Sequence, residues 1–256
     1  MEIRFLGAHN TESRDTRLSS LVIDGRLALD VGGLTSSLTV EEQLKLRAVL
    51  ITHRHYDHIK DLPLLAMNFY LNEKGIGVYA APAVAGLLAE KLFSGELYPN
   101  FLERPEGVPT LVFQPVVPGS AFSLAGYEVL PVSVSHSEPA LGYQLTDADG
   151  KSVFYTGDTG PGLAGCWQSI SPRLLIIEVT VPDRFRDFAV ENKHLAPGLL
   201  KEELLAFKKL KGYLPEVAVV HMNPALEAEL TAELKEVAVD TGCSITPASE
   251  GMLLKI

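Results

Sequence analysis

Residues 47–58 read RAVLITHRHYDH, and this stretch predicts both the fold and the chemistry of the chain. Its first half is apolar and rich in β-formers, which predicts a buried strand that ends where the histidines begin. Side chains two apart in extended chain point the same way, so His53 and His55 can bind one metal together. Asp57 and His58 follow after the chain has turned and can face a second metal. Imidazole and carboxylate are ligands of zinc and similar metals, so the hexapeptide predicts half of a two-metal site.

The composition is that of an ordinary globular protein. Of the 256 residues, 46% are hydrophobic and 21% are charged, and no composition break requires a linker, so we predict one compact domain over residues 1–256. No apolar run approaches the roughly 20 residues of a membrane helix. The N-terminus lacks a signal-peptide pattern, and two distant cysteines indicate a reducing compartment, so we expect a cytoplasmic protein that does not contact membranes.

Strand and helix patterns alternate along the chain. Two apolar runs flank Asp24-Gly25, which is a strong hairpin signal. Helical patterns cover residues 61–72, 82–93, 197–211 and 224–239, whereas residues 95–120 are rich in Pro and Gly and are expected to be irregular. Strands with hairpins followed by strand–helix alternation predict mixed sheets with helices on their outer faces.

Three more candidate ligands follow predicted strands. His136 ends the strand pattern of residues 127–135, and His221 ends that of residues 217–220. Asp158 also follows a strand, and glycines on both sides let its backbone approach a metal closely. A carboxylate can bridge two cations through its two oxygens. A lone histidine at a strand end is usually structural, so this prediction depends on the hexapeptide.

Together these residues resemble the metallo-β-lactamase superfamily, over nearly the whole chain. The resemblance implies an α/β (α+β) fold, a four-layer αββα sandwich with the metal cleft at one edge of the two sheets. It implies two divalent metal ions, most readily Zn²⁺, although Mn²⁺ or Fe²⁺ can occupy the same ligands. It assigns His53, His55 and His136 to one metal and Asp57, His58 and His221 to the other, with Asp158 bridging and Asp30 supporting the site from behind. For Asp30, an ordinary turn role is the alternative.

Particular segments resemble one branch of this superfamily. ITHRHYDHIKDLPLLAMN and LFSGELYPNF resemble class II 3′,5′-cyclic nucleotide phosphodiesterases. LLIIEVT and KHLAP resemble a Glu and a His that those enzymes share with the tRNA 3′-processing endonucleases. The best-known zinc β-lactamases carry cysteine where this chain has Asp158, and the diiron reductases carry Glu where it has His55. The family motif continues with glycine where this chain has Lys60 and Asp61, a departure that bears on the floor of the cleft.

We therefore expect a phosphodiesterase that cleaves a small cyclic nucleotide, with a hydroxide held between the metals as the attacking group. Asp57 would orient this hydroxide, and His194, backed by Glu178, would donate a proton to the leaving oxygen. A surface or helix-capping role is the alternative for His194. Tyr98 and Phe101 are candidates for stacking on a base, with loop packing as the alternative.

Other functions stay open from the sequence. One is a tRNA-processing endoribonuclease. Residues 82–126, however, are short for a tRNA-binding arm, and their only basic residues are Lys91 and Arg104. The net charge of −10 also argues against binding of long nucleic acids. Hydrolysis of another ester and a non-catalytic metal-binding role are further alternatives. The expected partner is a small phosphodiester substrate, and the resemblance suggests a homodimer.

Overall fold

The computed structural model describes residues 1–136 and 139–256. Its strands are β1 (Glu2–Gly7), β2 (Ser20–Ile23), β3 (Leu27–Leu29), β4 (Ala48–Leu50), β5 (Ile76–Ala80), β6 (Leu111–Pro115), β7 (Phe122–Leu124), β8 (Tyr127–Ser133), β9 (Leu141–Thr146), β10 (Ser152–Tyr155), β11 (Leu174–Glu178), β12 (Glu216–Val220), β13 (Ile245–Pro247) and β14 (Leu253–Lys255). Its helices are α1 (Val40–Gln43), α2 (Tyr56–Ile59), α3 (Leu62–Leu71), α4 (Pro82–Lys91), α5 (Ala164–Ser169), α6 (Arg186–Glu191), α7 (Pro197–Lys211) and α8 (Glu227–Thr241).

The strands form two mixed sheets of seven strands each. The first sheet has the order β14-β1-β2-β3-β4-β5-β6, and the second has the order β13-β12-β11-β10-β9-β8-β7. In the first sheet β3 to β6 pair in parallel, and in the second β10 to β13 do so. Parallel strands present their carboxyl ends at the same edge of a sheet. The loops that follow β4, β10, β11 and β12 therefore meet there.

Alternation along the strands of the second sheet separates two hydrophobic layers. Tyr155 and Ile176 belong to the core between the two sheets. Phe154 and Leu175, their neighbours in sequence, face the opposite way and pack with Trp167 and other residues of α5, α7 and α8. This is the period-two pattern of a strand that is buried on both faces. The two mixed sheets flanked by helices confirm the predicted sandwich.

Local sequence signals place most elements, with one clear exception. Asp24 and Gly25 both have positive φ, and the hairpin pairs Leu21 with Leu29 as its sequence predicts. Residues 95–120 are not irregular throughout, because Leu111–Pro115 forms β6 in parallel with β5. This five-residue strand ends in proline at the edge of its sheet, where a missing N–H is tolerated. In the described part of the chain, no helix combines the length and apolar character needed to span a bilayer.

The seventh histidine connects the loop after β1 to the turn before β14. His9 is 3% exposed, and its Nδ1 lies 2.7 Å from Oε1 of Glu250, which also accepts from the backbone N–H of Arg17. Burial lowers the pKa of His9, but the hydrogen bond and charge of Glu250 outweigh it and raise the pKa above 6.5. Burial raises the pKa of Glu250, yet its bonds to His9 and Arg17 bring that pKa below 4.5. The two shifts agree on an ion pair.

Replacing His9 should destabilise the protein most in mild acid. A raised histidine pKa contributes stability below 6.5 and loses it as the pH rises through the folded-state value. A lowered Glu250 pKa contributes stability above 4.5, so both contributions are present at about pH 5.5. We expect His9→Gln to lower the free energy of unfolding by about 1.5–3 kcal/mol there and by less at about pH 9. Urea unfolding at both pH values measures this, and an equal loss at both would contradict the ion pair.

Candidate metal centre

The seven predicted ligands come together where strands of both sheets end. They are His53, His55, Asp57 and His58 after β4, His136 after β8, Asp158 after β10, and His221 after β12. His55 is extended, with φ −67° and ψ 146°, and α2 begins at the next residue. The hexapeptide therefore changes from extended chain to helix between its first two histidines and its Asp57-His58 pair, as its spacing predicts. The assignment of these residues as ligands stays a prediction that their placement supports.

One group of ligand atoms contains His53, His55, His136 and Asp158, all within 4.8 Å of one another. Nδ1 of His55 lies 3.1 Å from Nε2 of His136. Oδ2 of Asp158 lies 3.7 Å from Nε2 of His53 and 3.7 Å from Nε2 of His136. Bonds of about 2.0–2.2 Å to a tetrahedral metal place neighbouring ligand atoms about 3.3–3.6 Å apart. The spacing of this group therefore suits a single divalent ion.

A second group contains Asp57, His58, His221 and, again, Asp158. Nε2 of His221 lies 3.1 Å from Oδ2 of Asp57 and 3.4 Å from Oδ2 of Asp158. Nε2 of His58 lies 3.0 Å from the other oxygen of Asp158. Asp158 is therefore common to both groups and presents an oxygen to each, which is the arrangement of a bridging carboxylate.

Buried atoms without partners show that the cluster fits metal ions. Among the described residues, six buried side-chain atoms have no hydrogen-bond partner, and three of them lie in this cluster: Nε2 of His53, Nε2 of His58 and Oδ1 of Asp158. The last two are 3.0 Å apart as an ion-pair contact but do not meet hydrogen-bond geometry. Each such atom costs about 1–3 kcal/mol. All three belong to the predicted ligand atoms, and a divalent ion would supply the missing partner for each.

The pKa shifts point to the protonation states that ligands need. Burial and the neighbouring imidazoles lower the pKa values of His53, His55 and His136, which favours neutral rings. Burial raises the pKa of Asp158, but the imidazoles around it prevail and hold that pKa well below its usual range. Burial likewise opposes charge on His58, yet three carboxylates nearby raise its pKa. Those carboxylates favour positive charge at this point, which a divalent ion also provides.

Asp30 supports two of these histidines from behind, as the family resemblance implies. Its buried carboxylate accepts hydrogen bonds from Nδ1 of His58 at 2.7 Å, Oγ1 of Thr52 at 2.9 Å and the hydroxyl of Tyr155 at 3.0 Å. Oγ1 of Thr52 in turn lies 3.0 Å from Nδ1 of His53. Each Nδ1 is thus occupied, which leaves each Nε2 free to bind a metal.

Glu178 does the same on the other side of the cleft. Its buried carboxylate lies 2.6 Å from Nδ1 of His194, and it accepts from the hydroxyl of Thr180 at 2.7 Å. That hydroxyl lies 2.9 Å from Nδ1 of His221. The sequence indicated the pair of Glu178 and His194 but not the two threonines. Their only sequence signal is a hydroxyl residue at a strand end close to a candidate ligand.

Two other sequence-based predictions have different outcomes. Lys60, a departure from the family motif, forms an ion pair with Glu12 at 2.6 Å, and Asp61 accepts from the backbone N–H of Thr35 at 2.7 Å. The side chains of Lys60 and Asp61 are thus both engaged in contacts with neighbouring loops. Of the two alternatives for Phe101, the structure shows loop packing and not base stacking, because its ring is fully buried against Tyr70 and Tyr98.

Comparison with known proteins agrees with this geometry. The β-lactamase superfamily domain matches residues 30–235, which is most of the chain. The chain belongs to the metallo-β-lactamase superfamily. Its members include metal-dependent hydrolases, among them ribonuclease Z and phosphodiesterase.

Sequence relatives of this superfamily member include ribonuclease Z from two organisms. The enzyme of Pyrococcus abyssi is 30% identical over 164 residues, which cover 60% of this chain and 50% of that enzyme. The enzyme of Acaryochloris marina is 32% identical over 168 residues, 61% of this chain and 51% of that enzyme. The chain thus spans about half the length of the curated relatives it matches.

Solved structures of the superfamily share the whole fold. Unliganded yeast PDE1 has a TM-score of 0.84 at 18% identity, with 100% of this chain and 99% of that chain covered. The short form of human tRNase Z has a TM-score of 0.74 at 21% identity, with 100% and 99% covered. At such identities the likeness shows the fold alone.

Neutralising Asp30 should weaken metal binding without removing any ligand. Asp30→Asn keeps the size of the side chain but replaces an acceptor of three side-chain hydrogen bonds by an amide, so the rings of His53 and His58 lose their fixed orientation. Loss of such a supporting group typically lowers metal affinity about 10–100-fold. Competition with a zinc chelator measures this, and Asp149→Asn in the exposed turn after β9 is the matched control. Equal zinc affinity in both variants would contradict the role of Asp30.

Proposed function

We propose that this protein is a dinuclear metal-dependent phosphodiesterase that cleaves a small cyclic nucleotide such as 3′,5′-cyclic AMP. The observation that carries the proposal is a histidine–glutamate pair beside the ligand groups. A ring nitrogen of His194 lies within 4.8 Å of ligand atoms of Asp158 and His221, and Glu178 holds its Nδ1. The pair places an acid–base group beside the ligands, which a site that only stored or sensed metal does not require.

Two divalent ions, when bound, supply an activated water and offset the negative charge that builds up on a phosphoryl group. Zn²⁺ suits the imidazole and carboxylate donors best, and Mn²⁺ or Fe²⁺ can use the same set. The seven candidate ligand residues would hold these ions, and the remaining chemistry would belong to the side chains beside them.

His194 is equipped to donate a proton to the leaving oxygen. Burial lowers its pKa, but the charge and hydrogen bond of Glu178 outweigh burial and raise the pKa to about 9. This shift favours the protonated ring, as a proton donor requires. Because Nδ1 is bound to Glu178, Nε2 is the nitrogen that can pass its proton to a substrate.

Asp57 is suited to orient the attacking water. Its side chain is 27% exposed, whereas that of Asp158 is 2% exposed, so Asp57 is the more accessible carboxylate of the two. Burial raises its pKa, but His58 and His221 prevail and lower it well below the usual range. An ionised carboxylate at this position accepts a hydrogen bond from water and fixes its direction.

The charge distribution supports a small substrate rather than a long nucleic acid. Residues 82–126 form α4, β6, β7 and their loops. The only basic residues in this range are Lys91 and Arg104. Lys91 lies beside Glu90, which offsets its charge. The net charge of −10 repels the phosphate backbone of a long nucleic acid at long range. The proposal includes a homodimeric assembly, which the family resemblance suggests.

A second candidate function is endoribonuclease activity. The observation that favours it is the 30% identity to ribonuclease Z of Pyrococcus abyssi over 164 residues. Tight binding of tRNA that weakens steeply with salt would support this candidate, because each phosphate contact releases counterions. Weak binding of tRNA at low salt would exclude it.

Turnover of cyclic AMP by zinc- or manganese-loaded protein tests the leading proposal. We expect hydrolysis of both 3′,5′-cyclic AMP and bis(p-nitrophenyl) phosphate, and a loss of at least about 100-fold in kcat for Asp57→Ala. Asp149→Ala serves as the control. Hydrolysis of the chromogenic diester alone would keep the phosphodiesterase and reject the cyclic nucleotide. Failure to cleave either compound with two metals bound would contradict the proposal.

The role of His194 predicts a dependence on the leaving group. His194→Ala should lower kcat for cyclic AMP by about 10²–10⁴-fold, because the departing ribose oxygen is strongly basic and needs a proton. The loss should be much smaller for bis(p-nitrophenyl) phosphate, since p-nitrophenolate leaves without one. Zinc content should match that of the wild type. Equal losses on both substrates would assign His194 a structural role instead.

A further inference from the structure

We propose that Lys193 binds the anionic phosphoryl group of the substrate at the rim of the metal cleft and so selects anionic over neutral esters. This inference rests on the proposed function and deepens it. It assigns a substrate-binding role to a residue that lies directly before His194 and outside the ligand set.

Two hydrogen bonds fix Lys193 against a candidate metal ligand. The Nζ of Lys193 donates to the carbonyl oxygen of His136 at 2.9 Å. In the opposite direction, Nδ1 of His136 lies 3.0 Å from the carbonyl oxygen of Lys193. The ammonium group is thus held against the backbone of one predicted metal ligand, whose ring lies 5.0 Å from that of the predicted proton donor His194. An ammonium has three N–H donors, and the bond to His136 uses one of them.

The backbone at Lys193 adds a second, independent observation. Its φ is 56°, in the left-handed region where glycine is the residue with least strain. The neighbouring segment approaches so closely that a Cβ on Gly160 would lie 2.8 Å from Cα of Lys193. Nothing in this backbone geometry requires a long basic side chain, so a lysine here is better explained by what its ammonium group contacts.

The net charge of the chain gives a cation beside the cleft a role. The chain as a whole carries a net charge of −10, whereas the two divalent ions would offset the carboxylates of the centre itself. An approaching phosphodiester is repelled by this field at long range. Lys193 is exposed at the rim, where its charge can attract the substrate and donate to a phosphoryl oxygen.

The test compares Lys193→Met, which removes the charge, with Lys193→Arg, which keeps it, and with Lys235→Met as a control on the exposed face of α8. For the zinc-loaded proteins, KM for the anionic diester should rise about tenfold in Lys193→Met, the size expected for one lost charge-assisted hydrogen bond. Its kcat should change by less than about twofold, and Lys193→Arg should recover most of the KM. Hydrolysis of the neutral ester p-nitrophenyl acetate should be unaffected.

Inorganic phosphate provides a readout that does not depend on turnover. Calorimetry on zinc-loaded protein should show about tenfold weaker phosphate binding in Lys193→Met than in Lys235→Met, with a smaller dependence on salt than in the wild type. Equal KM and equal phosphate affinity in both variants would overturn the role of Lys193. A fall in zinc content together with kcat would overturn it too, because the lysine would then only position His136. If the wild type cleaves no diester, the proposed function fails, and phosphate binding still decides whether Lys193 binds anions.

Discussion

Four hydrogen bonds end on the buried carboxylate of Asp30, and they connect the two sheets to the ligand loop. The donors are the backbone and hydroxyl of Thr52, Nδ1 of His58, and the hydroxyl of Tyr155 from the second sheet. A buried carboxylate is costly unless it is fully hydrogen-bonded, so the sheets can pack in this way only when these donors are in place. The same carboxylate thus fixes the packing of the sandwich and the orientation of the imidazoles.

Glu178 repeats this arrangement on the opposite side of the cleft. Each of the two carboxylates contacts one histidine directly and a second through a threonine hydroxyl: His58 and His53 for Asp30, His194 and His221 for Glu178. The difference lies in the direct partner. His58 belongs to the ligand groups, whereas His194 does not appear in either group that the sequence predicted. The arrangement that orients a candidate ligand on one side therefore raises the pKa of His194, the proposed proton donor, on the other.

The strand and helix patterns predicted mixed sheets with helices outside, and the family resemblance that rests on the hexapeptide implied the four-layer sandwich and the grouping of the seven ligand residues. These features are predictable because metal ligands need special residue types, and because strands that are buried on both faces leave a continuous apolar run. Thr52, Thr180 and Lys193 carry no comparable signal, since their roles depend on distances that only the folded chain defines. Strand β6 was missed for a similar reason: a short edge strand that ends in proline is identified by its pairing with β5.

The two kinds of site residue lie in different parts of the fold. The candidate ligands and their supporting carboxylates lie at strand ends. There the buried sheets hold neighbouring ligand atoms 3.0–3.4 Å apart, within a few tenths of an ångström of the spacing of ligands around one metal ion. Lys193 and residues 82–126 lie largely in connecting segments, which tolerate sequence change without loss of the core. A single metal centre can therefore serve different esters in different relatives, because substrate choice depends on these segments. For this chain, the proposed choice of a small anion rests on the net charge of −10 and on Lys193 beside His136.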